Sequence, residues 1–243
     1  MLKTMRAQVA AYPTVSFLER SAVDVEREKD GFSVTLGNVE TVVGGTLLLA
    51  YGITDILPKL PGLAERWGQS VIHCPYCHGY EFSGKRLGVL NLSAMSVHQA
   101  SLILEWGPTT FFLDGGTIDS EAAENLMRRG VVIEPAPVDG LVGEGASLSA
   151  VRLRDGREHP LDALFIGPPY TFNSDIAECL GCAIKAEPLG STITVDEMKA
   201  TNVAGVYAAG DITRMGHTAT FACADGVMAA LAIHRSLAFG MEP

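Results

Sequence analysis

The stretch His73-Cys74-Pro75-Tyr76-Cys77-His78-Gly79-Tyr80-Glu81 holds the side chains best suited to chemistry in this sequence. Two cysteines at this spacing can make and break a sulfur–sulfur bond if the turn between them starts a helix. The first thiol is then exposed and the second lies within bonding reach. Helix-terminal amides and a neighbouring cation would favour the thiolate, the reactive species. The same residues admit other chemistries. Cys74 to His78 is a C-x-x-C-H, the pattern of c-type haem attachment, which normally goes with an exported chain and a distal axial ligand. His73, Cys74, Cys77 and His78 are all zinc-ligand types, but four near-contiguous residues do not easily close a tetrahedron. Cys179 and Cys182 have the spacing to complete one; they read instead as a helix end where cysteine serves as a small apolar residue. The blandest alternative is a pair of small buried residues in a turn. Pro75 and Tyr76 between the cysteines, and a histidine on each side, argue against it.

A second signal is Gly205 to Thr213, GVYAAGDIT, an apolar run that stops at Gly210-Asp211 shortly before a helix. Ligands of open α/β sheets sit beyond the carboxyl ends of strands. An aspartate there can accept hydrogen bonds from ligand hydroxyls, and the glycine lets backbone approach. The competing reading is an aspartate that merely caps the next helix.

The elements that must position these residues follow from periodicity. Residues 2–11 read as a short amphipathic helix, and TVSFLE (14–19) as a strand. SAVDVERE, GFSVTLG and VETVVG, with an Asp30-Gly31 turn, form an antiparallel meander. GTLLLAYG (45–52) is a continuous apolar run, as expected of a strand covered on both faces. From Leu87 a β-α-β-α-β rhythm predicts a parallel sheet with helices on its faces, including a helix capped at Ser120. A hairpin about Asp155-Gly156 and one more buried strand follow, and an apolar helix closes the chain. The fold class is α/β.

The chain has 243 residues, 47% hydrophobic and 19% charged, enough for one large or two small domains. A net charge of −10 with no basic cluster excludes nucleic-acid backbone binding as its main task. The apolar runs look too short to span a bilayer, and MLKTMRAQVAAYP lacks the apolar core of a signal peptide. A cytoplasmic location is expected, where five cysteines are not a disulfide framework.

Taken together, LLLAYGITDILPKLPG, HCPYCHGYE and GVYAAGDITRMGHTATFACADGVMAALAIHRSL resemble the pyridine nucleotide-disulfide oxidoreductases of low-molecular-weight thioredoxin reductase type. The likeness is to the C-P-Y-C-H-G-Y-E branch, which includes flavin-dependent dithiol oxidases. The resemblance implies two Rossmann-like nucleotide-binding-type domains. The FAD-type domain is discontinuous, 1–72 with 187–243, and the insert 73–186 is an NAD(P)-type domain carrying the cysteines. It implies FAD as cofactor, no metal, a small dithiol or disulfide or a thioredoxin-like protein as substrate, and a homodimer. It places Cys77 toward the flavin and Cys74, the more accessible sulfur, toward the substrate. His78 stands where the reductases keep an acid, and an imidazole can carry a proton near neutrality. Asp211, beside Gly210, would bond the ribitol, the A-T-G turn falls at Gly52, and the backbone of Thr218 and Ala219 would meet the flavin ring.

Two departures qualify this. No G-x-G-x-x-G occurs, so the FAD-type domain is N-terminally incomplete and FAD affinity should be weak. The strand that would lie between GTLLLAYG and GVYAAGD is also missing, which would leave exposed edges. In the insert, Asn91-Leu92-Ser93-Ala94 replaces a Gly-rich turn, so NADPH binding is doubtful. The alternative function is a regulatory remnant without nucleotide binding.

Overall fold

Continuous apolar runs become parallel strands flanked by helices, while runs of period two become antiparallel ladders. The computed structural model describes residues 2–240. The chain divides into two units. One comprises the residues up to Ile53, Phe172–Lys185 and those from Thr192 on; the other comprises Thr54–Thr171 and Ala186–Ser191.

The first unit opens with α1 (Leu2–Ala10), none of whose residues is buried. The strand predicted over residues 14–19 does not form. These residues are exposed and unpaired to any strand, and Phe17 instead lies under the Arg6 guanidinium at 4.7 Å. Alternation makes a strand only where a partner edge is within reach. The meander does form: β1 (Ala22–Glu28), β2 (Gly31–Leu36) and β3 (Thr41–Gly44) pair antiparallel in that order.

Two apolar strands, β4 (Leu47–Leu49) and β17 (Val206–Ala208), are parallel neighbours, with Leu47 opposite Val206 and Leu49 opposite Ala208. The sequence predicted a gap between them. Direct pairing corrects this: a further strand would lie outside the pair, not within it. The far edge of β17 is met by the 199–201 segment, where the Ala208 amide donates to Lys199 O at 3.0 Å. Leu48 is 39% exposed, so β4 is not covered on both faces as its apolar run suggested. Phe32, Leu49, Ile176, Ile193, Val206 and Ile212 form the core, with α5 (Ile176–Cys179) against β1. The closing helix, α6 (Ala219–Phe239), is by length and composition the one helix among the described residues able to cross a membrane. That departs from the reading of short runs. Its buried Asp225, though, is held by charged partners within the unit.

The second unit is built on a five-stranded parallel sheet of order β6-β13-β7-β8-β9: β6 (Val71–Ile72), β13 (Ala163–Phe165), β7 (Leu87–Leu90), β8 (Thr109–Phe112) and β9 (Val132–Glu134). Every pairing in it is parallel. Helix α2 (Pro75–His78) follows β6; α3 (Met95–Ile103) and α4 (Ser120–Arg128) connect β7 to β8 and β8 to β9. The N-cap of α4 is Asp119, not Ser120: its Oδ1 accepts from the Glu121 and Ala122 amides. A cap residue lies just outside the helical turn, which here is one position earlier. An antiparallel meander, β10 (Val138–Val142), β11 (Ala150–Leu153) and β12 (Glu158–Pro160), turns at Gly156, whose φ of 89° suits glycine. Buried Glu134 joins sheet and meander by accepting from Arg157 and meeting His159 Nε2 at 2.8 Å. Two ribbons complete the chain: β5 (Ile53–Asp55) with β14 (Tyr170–Phe172), and β15 (Ile184–Glu187) with β16 (Gly190–Ile193).

Candidate functional site

The cysteines stand just past the carboxyl end of β6, an edge strand of the parallel sheet. Cys74 is the N-cap of α2 and Pro75 its first helical residue, where a missing N–H costs nothing. One helical turn brings Cys77 round, and the two Sγ atoms lie 2.9 Å apart. A disulfide needs about 2.05 Å, so closure requires only a small rotation of the side chains. The exposure order is the reverse of that expected: Cys77 is exposed and Cys74 half-buried, because Cys74 sits at the strand end and α2 turns outward from it.

The electrostatics also differ from the expected thiolate. The hydrogen bond to Cys74 pushes the Cys77 thiol up to about 11; burial and the charges of Cys74 and Glu81 add to this. Near neutrality Cys77 therefore keeps its proton, donated to Cys74 Sγ. In the reduced protein, alkylation of Cys77 is therefore expected to quicken about tenfold per pH unit from neutrality towards its pKa. Iodoacetamide labelling with mass mapping checks this, and a plateau already reached by about pH 8 would contradict it. His78 is exposed, with Nδ1 3.4 Å from Glu81 Oε2.

Three residues not singled out by sequence brace this turn. Gln99 of α3 donates from Nε2 to His73 O at 2.8 Å, tying the residue before Cys74 to the helix that follows β7. The Trp106 ring meets Tyr76 edge-on, with centroids 6.0 Å apart. Buried Gly79 lies so close that a Cβ would meet Pro75 O at 2.5 Å and the Trp106 ring at 2.7 Å. Among the described residues, no group of three or more His, Cys, Asp or Glu could hold a metal ion. Cys179 is exposed and Cys182 buried, its Sγ 3.9 Å from Thr201 Oγ1.

The first unit carries the other predicted residues. Gly52 and Gly210-Asp211 follow β4 and β17, and both strands run in the same direction, so the two turns share one carboxyl edge. Gly52 has φ 69°, with Asn173 Nδ2 donating to Tyr51 O beside it. Gly210 has φ 82° and ψ −154°, a conformation essentially reserved for glycine. Asp211 Oδ1 is buried and has no hydrogen-bond partner among the described residues. A buried acceptor left so is costly unless a donor arrives. Thr218 caps α6, its Oγ1 accepting from the Phe221 amide, and Thr218 and Ala219 are exposed.

In the second unit, a cavity of about 600 Å³ opens beyond β7 and β8, lined by Asn91, Leu92, Ser93, Val97, Ile118 and Asp119 among others. This is where a Rossmann-type turn would cradle a pyrophosphate with backbone amides. Here the Leu92 and Ser93 amides both donate to the buried Ser96 Oγ, at 3.0 and 3.2 Å, and the Met95 amide donates to Ser93 Oγ. These three amides are already used, no cation among the described residues lines the cavity, and Asp119 puts a carboxylate on it.

Comparison with known proteins agrees with this architecture. Residues 6–226 match the family described as pyridine nucleotide-disulphide oxidoreductase. The chain is 29% identical over 232 residues to the thioredoxin reductase sirT of Leptosphaeria maculans, covering 89% of this chain and 70% of that protein. Among solved structures, the oxidoreductase from Agrobacterium tumefaciens is similar at a TM-score of 0.92 with 38% identity, over 99% of this chain and 80% of that one. HlmI is similar at a TM-score of 0.91 with 32% identity, over 97% of this chain and 74% of its own. With redox turn, parallel sheet and Gly-Asp segment in place and the match running over most of its length, the chain belongs to the pyridine nucleotide-disulphide oxidoreductase family, in its thioredoxin reductase-like group.

Proposed function

We propose that this protein is a flavin-linked thiol/disulfide oxidoreductase in which electrons pass between a dithiol or disulfide substrate, the Cys74–Cys77 pair and FAD. The observation that carries this is the 2.9 Å separation of the two sulfurs at the carboxyl edge of a parallel sheet. The family is one of FAD-dependent disulfide oxidoreductases, which supports the choice of cofactor. The residues present fit such a group where it bears hydroxyls: Asp211 Oδ1 is a buried acceptor in want of a donor. Asp211 and Gly210 would hold the ribitol, Gly52 would give backbone room, and Thr218 with Ala219 would approach the ring. FAD, when bound, supplies a two-electron acceptor or donor.

The remaining work falls to the chain's own residues. A substrate thiolate attacks Cys74 Sγ, the Cys74–Cys77 bond breaks, and Cys77 leaves as a thiolate. The second substrate thiolate then attacks the substrate sulfur of the mixed disulfide and releases Cys74. The substrate is oxidised by two electrons and the cysteine pair reduced by two. His78, beside Glu81, takes up a substrate proton. Cys77 would face the flavin, which when bound would accept the pair's two electrons as the disulfide re-forms, or would supply them for the reduction of a disulfide. The substrate is a small dithiol or disulfide, or a thioredoxin-like protein. The protein works in the cytoplasm as a homodimer.

NADPH is not the electron partner, because the Leu92 and Ser93 amides are bonded to Ser96 and no cation among the described residues lines the cavity. Titration with NADPH is expected to show no saturable binding in the micromolar range, and saturation there would overturn that assignment. The same occupied amides give some support to the rival reading, a regulatory remnant. Reconstitution with FAD separates the two. The flavin reading expects a yellow protein whose visible band bleaches when an excess of dithiol is added; a protein that takes up no FAD is the remnant.

A further inference from the structure

Asp225 is 3% exposed in the middle of α6, yet nothing in the proposed chemistry uses it. A charge so deeply placed is costly unless well paired. Its carboxylate receives Arg214 in a two-pronged contact, Nε at 2.9 Å and Nη2 on the other oxygen, and Lys199 Nζ at 2.8 Å. Burial alone would raise its pKa, but the two cations outweigh this and hold the carboxyl below the usual aspartate range. Both cations come from segments that flank the Gly210-Asp211 turn. Lys199, with φ 68°, lies in the segment paired to β17 and accepts the Ala208 amide. Arg214 comes three residues after Asp211, and its guanidinium also covers the Phe221 ring at 4.9 Å. Thr213 lies between the two, its amide and Oγ1 both donating to Gly210 O at 2.9 Å, its Oγ1 3.4 Å from Asp225 Oδ2.

We infer that Asp225 is a positioning residue: it clamps Lys199, Thr213 and Arg214 so that the Gly210-Asp211 turn keeps its conformation and presents the unpartnered Asp211 Oδ1 to a ligand hydroxyl. The inference rests on the flavin reading for the identity of that ligand. It does not rest on it for the clamp itself. Asp225 touches no ligand in this scheme, so removing its charge acts only through Asp211.

The test is a double-mutant cycle read by FAD binding, measured as quenching of flavin fluorescence, in the wild type, D225N, D211N and the double variant. D225N is expected to weaken FAD binding about tenfold in the wild-type background, the scale of one lost charged hydrogen bond, and less than about twofold in D211N. Equal losses in both backgrounds would make Asp225 a general stabiliser and overturn the inference. A second readout needs no flavin. Hydrogen exchange of the Thr213 amide is expected to be at least about tenfold faster in D225N, with the Ala209 amide, bonded to Leu49 O, unchanged. Unchanged exchange at Thr213, or the same acceleration at both amides, overturns the inference. If the wild type binds no FAD, the flavin reading falls and exchange alone decides the clamp. If D225N does not fold, R214K, which keeps the charge but loses the two-pronged contact, is expected to follow the same pattern more weakly. R214K with unchanged Thr213 exchange counts against the clamp.

Discussion

Replacing Cys77 with serine is expected to reduce turnover of a small dithiol by at least about 10³-fold, as loss of a reacting atom does, while leaving the fold intact. The side chain is exposed, so the loss of sulfur leaves no cavity. Serine cannot form the bond to Cys74, and without it the proposed route from substrate to flavin is cut. The chemistry also predicts what accumulates. With Cys77 gone, Cys74 attacks a disulfide substrate, and no neighbouring thiol remains to resolve the mixed disulfide. Intact-mass analysis of C77S incubated with oxidised substrate should therefore show a stable adduct on Cys74. C74S should give less, because burial and the Glu81 charge still hold the Cys77 thiol up when Cys74 is gone. Exposure by itself favours the opposite assignment, since Cys77 is the more accessible sulfur. Its thiol, held up at about 11 by the hydrogen bond to Cys74, is a poor nucleophile near neutrality while that partner is present. An adduct that accumulates on Cys77 in C74S, and not on Cys74 in C77S, would exchange the two roles.

Much of the second unit could be read from the sequence because its signals are local. LGVL, TTFF and ALF are strands buried on both faces, and each carries its own apolar run. The redox turn was legible for the same reason: Pro75 starts the helix and four residues complete it. What failed depended on partners distant in sequence. Residues 14–19 alternate like a strand but find no edge to join. The order of β4 and β17 is a matter of topology across more than 150 residues, about which neither run carries information. Thiol exposure and acidity were misjudged because helix position suggests a stabilised thiolate, whereas the sulfur–sulfur contact decides the outcome.

The supporting residues of the site were missed for a related reason. Gln99 acts on His73 across 26 positions, and an interior helical glutamine has no distinguishing pattern. Asp225 did leave a trace. Ala222, Asp225, Ala229 and Ala232 follow one another at steps of three or four on the face of α6 that packs inward, and a single charge in such a stripe implies buried partners. The turn before α3 was legible in composition: Asn-Leu-Ser-Ala lacks the glycine that would admit a phosphate. That Ser96 also takes up the amides could be seen only in three dimensions.

Gly79 connects packing to redox behaviour, and Gly79→Ala is expected to have the second-largest effect. Its φ of −61° and ψ of −36° are helical, so alanine would be preferred on backbone grounds by about 1 kcal/mol. Space decides instead. The added Cβ would come within 2.5 Å of Pro75 O and 2.7 Å of the Trp106 ring. Neither can yield cheaply, since Pro75 O accepts the Gly79 amide that closes α2 and the Trp106 ring packs against Tyr76. Overpacking of this kind costs about 1–3 kcal/mol, enough to exceed the backbone gain. Relief must come from moving α2, which carries Cys77 and whose displacement alters the 2.9 Å sulfur separation. The G79A protein should therefore melt at a lower temperature and also form the Cys74–Cys77 disulfide less readily. Against a glutathione redox buffer its equilibrium constant for closure should fall about tenfold, a shift of about 30 mV in potential. A protein that loses stability while its disulfide equilibrium stays at the wild-type value would show that the turn keeps its sulfur geometry without Gly79.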